Sequence, residues 1–180
     1  MEVMGSDRVV NHLASRLCPV DAYHVWLSED TATFPLWNLS RQLVGYQQYR
    51  PGASKEANND PREGRYFTRL ERDRVGVWGL ESWKYSDTLF LCEGIFDACK
   101  VSWLGYSALA VLSTEVNPTT ANWLSVVRQH RRVVAMCDSD PVGLRLAKYA
   151  HEHVHVKPWH DVGEAPLELV DQLCQQFNRR

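Results

Sequence analysis

The hydrophobic and polar positions of this chain fall into two rhythms. Between Thr31 and Leu80, short runs of β-forming residues alternate with polar turn formers. TATFPLWN and QLVGYQQYR flank the polar LSR, which predicts a hairpin. RYFTRL and VGVWGL predict two more strands, and PGASKEANNDPREG predicts an exposed loop. Residues 7 to 17 predict a short helix. From Asp87 onward the rhythm changes to strand and helix in alternation. TLFLCEG, SALAVLS, RVVAMCD and VHVKPW read as strands. IFDACKVSWLG, with Ile95, Ala98, Cys99 and Trp103 at helical spacing, reads as a helix. So do Pro118 to His130, VGLRLAKYAHE and EAPLELVDQLCQQF, and Asn117 is placed to cap the first of these three. Apolar strands between helices imply a parallel sheet covered on both faces. The expected architecture is therefore α/β: a Rossmann-like, mostly parallel sheet flanked by helices over residues 85–180, preceded by a β-rich lobe over residues 1–84.

Composition narrows the classes. Hydrophobic residues make up 44% of the 180, enough for a core. A formal charge of −2 rules out a globally basic nucleic-acid binder, so any polyanion site must be a local patch. No apolar run reaches the length of a membrane span, and the first residues lack the apolar centre of a secretion signal. Five scattered cysteines with no C-x-x-C pair predict reduced thiols, a cytoplasmic protein and no zinc ribbon.

The chemistry concentrates at two strand ends. TLFLC runs into Glu93-Gly94, and RVVAMC runs into Asp138-Ser139-Asp140. Open α/β sheets place their sites at the carboxyl ends of strands. If the two strands are neighbours, they lie about 4.8 Å apart and the three acids converge. Close carboxylates repel, and without a counter-ion one is driven toward protonation. A hard divalent cation, Mg²⁺ or Mn²⁺, resolves the conflict and brings phosphate chemistry with it. Gly94 and Gly143 leave room for a phosphate or a tight turn. Asp-x-Asp alone also occurs as a helix cap or a solvated loop. An aspartyl-phosphate phosphatase uses the same pair, whereas a P-loop ATPase needs a G-x-x-x-x-G-K-[ST] segment that this chain does not have.

LFLCEGIFDACK followed by VVAMCDSDPVGLRLAK resembles the Toprim domain of bacterial-type primases, topoisomerases and some nucleases. Glu93 matches its glutamate, Asp138 and Asp140 its paired aspartates, and Asp97 the aspartate that follows in primases. VKPWHDVGEAP resembles the later acidic turn, with Asp161 at its acid. Upstream, FPLWNLSRQLVGYQQYRP, GRYFTRL and VGVWGLESW resemble successive primase segments, with Arg65 where lysine is usual. The likeness runs from Phe34 to Pro166 and favours the catalytic core of a bacterial or phage primase.

That resemblance implies a nucleotidyltransferase making short RNA primers on single-stranded DNA from NTPs. Catalysis falls to Glu93, Asp138 and Asp140, and metal binding to these and Asp161. Glu93 holds or orients the cluster or assists proton transfer. Arg50 and Arg65 sit at primase-like positions and, with Lys55 and Lys148, are candidates for template or triphosphate contact. A solvated charged surface is the alternative for them, and the favoured reading for Arg69, Arg72 and Arg74. His151, His153 and His155 alternate along an extended stretch and read first as an exposed polar face. Among the seven tryptophans, Trp159 is the candidate base-stacking platform and the rest read mostly as packing residues. The chain is short for a complete primase core and shows no zinc ribbon or helicase-like segment. It therefore reads as a reduced phage enzyme in the host cytoplasm, or as a subunit. Its expected partners are a replicative helicase or a separate zinc-binding subunit that recognises template. A metal-dependent nuclease and a non-catalytic nucleic-acid-binding accessory module are the alternatives.

Overall fold

A computed structural model describes residues 4–54, 60–84, 88–113, 115–141 and 143–178. The elements run α1 (Met4–Ser15), β1 (Trp26–Leu27), β2 (Ala32–Trp37), β3 (Leu43–Tyr49), β4 (Tyr66–Leu70), β5 (Thr88–Cys92), α2 (Ile95–Trp103), β6 (Ser107–Ala110), α3 (Pro118–His130), β7 (Arg132–Cys137), β8 (Glu152–His155) and α4 (Leu167–Asn178). Short 3₁₀ turns occupy Pro61–Glu63, Leu80–Ser82 and Gly143–Tyr149.

Two four-stranded sheets result. The first is antiparallel, in the order β1-β2-β3-β4, and the second is parallel, in the order β6-β5-β7-β8. Successive side chains of a strand point to opposite faces. The parallel sheet uses this to feed two cores. Phe90, Cys92, Ala108, Ala110, Val134 and Met136 face one side and pack with α1, α2, α4 and the inner face of the antiparallel sheet. Leu89, Leu91, Leu109, Val133, Ala135 and Cys137 face the other and pack with Leu124 and Val127 of α3 and with Leu146. Phe34 of β2 lies at the junction, edge-on to both Trp78 and Phe96. All five cysteines are buried and free.

The hairpin, β4, the four parallel strands and the helix from Pro118 match the sequence pattern. Asn117 caps that helix, its side chain accepting the Thr120 N–H at 2.8 Å. Three expectations need correction. VGVWGL forms no strand; it makes one antiparallel bridge, through two hydrogen bonds between Trp78 and Ala110, and then turns into the Leu80–Ser82 segment. The segment after Asp140 is 3₁₀ rather than α-helical. The connection from Cys137 to Glu152 is short and must first form the acidic turn. A 3₁₀ turn rises about 2.0 Å per residue against about 1.5 Å for an α-helix, so fewer residues cover the strand length. Finally, β8 starts at Glu152 and ends at His155, before Pro158, which has no N–H to donate. The two-residue β1 was too short to leave a pattern.

Candidate active site

β5 pairs with β6 on one side and β7 on the other, so the chain leaves these two central strands in opposite directions. That is the topological switch point where open α/β sheets leave a crevice. Cys92 is level with Met136 across the pair, so Glu93 comes level with Cys137 and Asp138 follows one residue later, close enough for the two charges to act on each other. Beyond Asp138 the chain folds tightly on itself. Asp140 Oδ1 accepts the Gly143 N–H at 2.6 Å. A Cβ on Gly143 would fall within 2.8 to 2.9 Å of Asp138 main-chain and Cβ atoms, so only glycine closes this turn.

A third segment is tied to the first two. Ser139 donates its N–H to the His160 carbonyl at 2.9 Å and its hydroxyl to the Trp159 carbonyl at 2.7 Å. The Asp138 carbonyl accepts from His155 Nδ1 at 3.0 Å. Asp97, at the start of α2, bridges two turns, taking the Gly94 N–H on Oδ2 and the Gly163 N–H on Oδ1. Lys100, one helical turn on, donates to the carbonyls of Gly163 and Ala165 at 2.7 and 2.6 Å. Asp161 Oδ1 accepts the Glu164 N–H. A Cβ on Gly163 would meet Arg16 Nη2 at 2.6 Å and the Oδ1 atoms of Asp97 and Asp161 at 3.1 Å each. Acids from β5, α2, β7 and the turn after β8 thus gather at one sheet edge.

Their ionisation is strained. Burial, then the carboxylates of Glu93, Asp161 and Asp140, pushes Asp138 up to about 6. Burial, then Asp161 and Asp138, pushes Asp97 up to about 7, against the pull of the Gly163 and Gly94 amides. Burial, then Asp97 and Asp140, also raises Glu93. Asp138 Oδ1 is buried with no hydrogen-bond donor among the described residues.

Among the described residues, no three His, Cys, Asp or Glu side chains close around a point as a metal cage. The gathered donors are hard carboxylate oxygens, and the orphaned Asp138 Oδ1 is an acceptor without a partner. Both facts fit a Mg²⁺-like cation, which binds through one or two carboxylates and fills its shell with water and phosphate oxygen.

The cations distribute unevenly. Arg50 and Arg65 are adjacent, joined by the Arg50 N–H to the Arg65 carbonyl at 2.9 Å. Arg65 Nε donates to the Ala53 carbonyl, whereas Arg50 Nη1 is buried without an acceptor. Lys55 lies outside the described residues. Lys148 is not brought to the acids. It precedes β8, at the amino-terminal end of the parallel strands, where its carbonyl accepts from Arg128 in the last turn of α3. Sequence reasoning missed Arg16 and Lys100. Arg16 stacks on Phe96 at 4.7 Å and reaches the Asp97–Asp161 junction, and nothing in the pattern of α1 sets it apart from the other surface arginines. His151 Nδ1 accepts the Val133 N–H and His155 Nδ1 bonds the Asp138 carbonyl, so each ring is anchored to main chain through one nitrogen. Trp159 packs partly into the core and serves the acidic turn through its carbonyl.

Solved structures share the fold. The primase fragment of the bacteriophage T7 primase-helicase protein superposes with a TM-score of 0.63 at 14% identity, over 87% of this chain and 68% of that one. The fold is that of a primase catalytic core. The DnaG primase catalytic domain bound to single-stranded DNA gives 0.60 at 14% identity, over 96% of this chain and 60% of that one. The Aquifex aeolicus primase, zinc-binding and RNA polymerase domains, gives 0.58 at 20% identity, over 82% of this chain and 39% of that one. No protein-family model and no curated protein matches the sequence. Against the last two primase structures the chain spans less than two thirds of their length. No helix among the described residues is long and apolar enough to cross a membrane.

Proposed function

We propose that this chain is a primase-like nucleotidyltransferase that joins ribonucleotides on single-stranded DNA with Mg²⁺ or Mn²⁺. One observation carries the reading: in a primase-core fold, Glu93, Asp138, Asp140 and Asp161 gather at the switch point, with an unpartnered buried carboxylate oxygen among them. Asp138, Asp140 and Asp161 would hold the cation, and Glu93 would hold or orient the same group. Bound there, the cation would stabilise charge on the attacking and leaving oxygens of phosphoryl transfer. The protein's own part is positioning. Asp97 and Lys100 hold the 161–165 turn against α2, and Ser139 holds Trp159 and His160, just before it, against the end of β7. Arg50 and Arg65 would contact template or triphosphate, with Lys55 as a further candidate. Residues 1–84 form the template-side lobe in this reading, and 85–180 the Toprim-type catalytic unit.

The T7 neighbour is a primase-helicase, and the Aquifex neighbour carries a zinc-binding domain beside its RNA polymerase domain. A replicative helicase and a zinc-binding, template-recognising subunit are therefore the partners proposed for this chain. The test is direct. Single-stranded template, NTPs and Mg²⁺ should yield short oligoribonucleotides, and Asp138→Ala should abolish them. Template cut in the absence of NTPs would replace this reading with a nuclease. Template binding without product, unchanged in Asp138→Ala, would replace it with an accessory module.

A further inference from the structure

A cavity of about 560 Å³ opens between the β2–β3 turn, the segment after α1 and the Leu80–Ser82 turn. It is lined by His24, Trp37, Leu39, Arg41, Glu81 and Trp83, among others. It is not part of the acidic site. Ser82 Oγ donates to the Ala108 carbonyl and Lys84 N–H to Ser107 Oγ, which ties this wall to the start of β6, at the opposite end of the strands from Glu93 and Asp138.

Its lining is that of a ligand site: a mostly apolar wall with a few polar groups. Trp83 is braced by Trp123, edge-on at 5.8 Å, and by Arg131 stacked on its ring at 5.2 Å. The indole N–H of Trp37 is buried and has no acceptor among the described residues. Glu81 has no ion-pair partner among them, and burial raises its pKa against the pull of its own backbone N–H and of His24. The Arg41 guanidinium likewise makes no side-chain contact there, and its backbone is held at φ 59°. A ligand that suits this wall has a flat face for the indoles, paired N–H donors for a carboxylate, ring acceptors for an indole N–H, and negative charge for Arg41. The guanidinium counts against a basic peptide side chain. Among the nucleobases, guanine alone puts two N–H donors side by side on one edge, where a carboxylate accepts both. Adenine and cytosine set a ring acceptor beside the amino group, and uracil flanks one N–H with carbonyls.

We propose that this cavity binds a guanine nucleotide, with the base against Trp37 and Trp83, its N1–H and 2-amino group on Glu81, and phosphate toward Arg41. The inference does not rest on the acidic cluster, and its test is run in EDTA, where that cluster has no cation to hold a nucleotide. Isothermal titration of the whole chain with GMP, AMP, CMP and UMP should show GMP binding at least about tenfold more tightly than the others. Glu81→Gln should weaken GMP by about tenfold and leave AMP unchanged. Arg41→Asn, which tolerates the left-handed backbone, should weaken GMP and spare free guanosine. No binding at millimolar GMP, equal binding of the four monophosphates, or full GMP affinity in Glu81→Gln would each overturn the assignment. Tighter capture of a lysine-rich peptide than of GMP would do so as well. A thymidine oligonucleotide with one internal guanine separates the two sources of the base. If it displaces GMP and the all-thymidine strand does not, the site reads a strand; if neither does, it takes the free nucleotide.

Discussion

Both sheets have four strands, but the parallel one is buried along β5, β6 and β7 whereas the antiparallel one is open to solvent along β4. Every residue of β5 is buried, and β7 is buried from its second residue on. In β4 no residue is fully buried, and β3 mixes buried, half-buried and exposed positions. A sheet covered on both faces admits charge only where its strands end. An acid there is conspicuous, expensive to leave unpaired and placed at a crevice. A sheet with one wet face admits charge along its whole length, and an arginine on it carries no such message. Position thus gives Asp138 a meaning that it does not give Arg69.

The largest effect tests that contrast at its centre. Asp138→Ala should lower primer synthesis by about 10³-fold or more, since it removes a carboxylate proposed to hold the cation that stabilises charge on the reacting phosphates. Its melting temperature should hold, because the lost group is one that burial disfavours. Activity within tenfold of the parent would mean that the strand-end acid has no special role. Next in size, Phe34→Ala should cost about 3–5 kcal/mol in denaturant unfolding. Phe34 is fully buried and joins β2 to Trp78 and Phe96. Leu39→Ala, at a residue 66% exposed, should stay within about 0.5 kcal/mol. Equal costs would show that the antiparallel sheet is not fixed by this junction.

The same contrast explains what was legible in the sequence. Buried strands write continuous apolar runs, so β5, β6 and β7 and the acids after β5 and β7 could be read directly. The α3 helix was legible to the residue because Asn117 and Pro118 mark its start chemically. VGVWGL misled because an apolar, β-forming run also suits a single bridge with a buried Trp78. The 3₁₀ turn after Asp140 was hidden because its geometry answers to the length of the connection, which periodicity does not encode. Arg16 and Lys100 were invisible for another reason. They act on the acidic turn across the tertiary fold; Lys100 has the spacing of an ordinary helix residue, and Arg16 follows directly after α1.

The acidic end also sets a pH dependence. Asp97 rises on folding from 3.8 to about 7, and Asp138 from 3.8 to about 6. Between those values the folded chain holds more protons than the unfolded chain, so these groups make stability fall as pH rises from about 4 to about 7. A divalent cation competes with the same protons. In EDTA, Asp138→Asn should flatten the decline. Added Mg²⁺ should raise the melting temperature more at pH 7 than at pH 5, by a few degrees, roughly 2–4 °C. A larger rise at pH 5, or none at either pH, would separate the carboxylates from cation binding.

The smallest effects fall on the cations, where the sequence was least informative. Lys148 and Arg65 were both candidates, Arg65 at a primase-like position, and the fold treats them differently. Lys148 is exposed at the far end of the parallel strands, its ammonium 4.9 Å from the Tyr149 ring. Such a contact is worth about 0.5–1 kcal/mol at the surface. Lys148→Ala should therefore leave primer yield within about twofold and template affinity unchanged at every salt concentration. Arg65 lies beside Arg50 at the mouth of the antiparallel sheet, close enough for its charge to act on Tyr49 and Tyr66. If it touches phosphate, Arg65→Ala should weaken template binding uniformly across sequences and reduce the salt slope by about one. Template titrations of both variants over a range of NaCl decide the matter. An equal loss in the two would mean that these lysine and arginine charges act through the long-range field of the molecule, and that neither end of the fold owns the template.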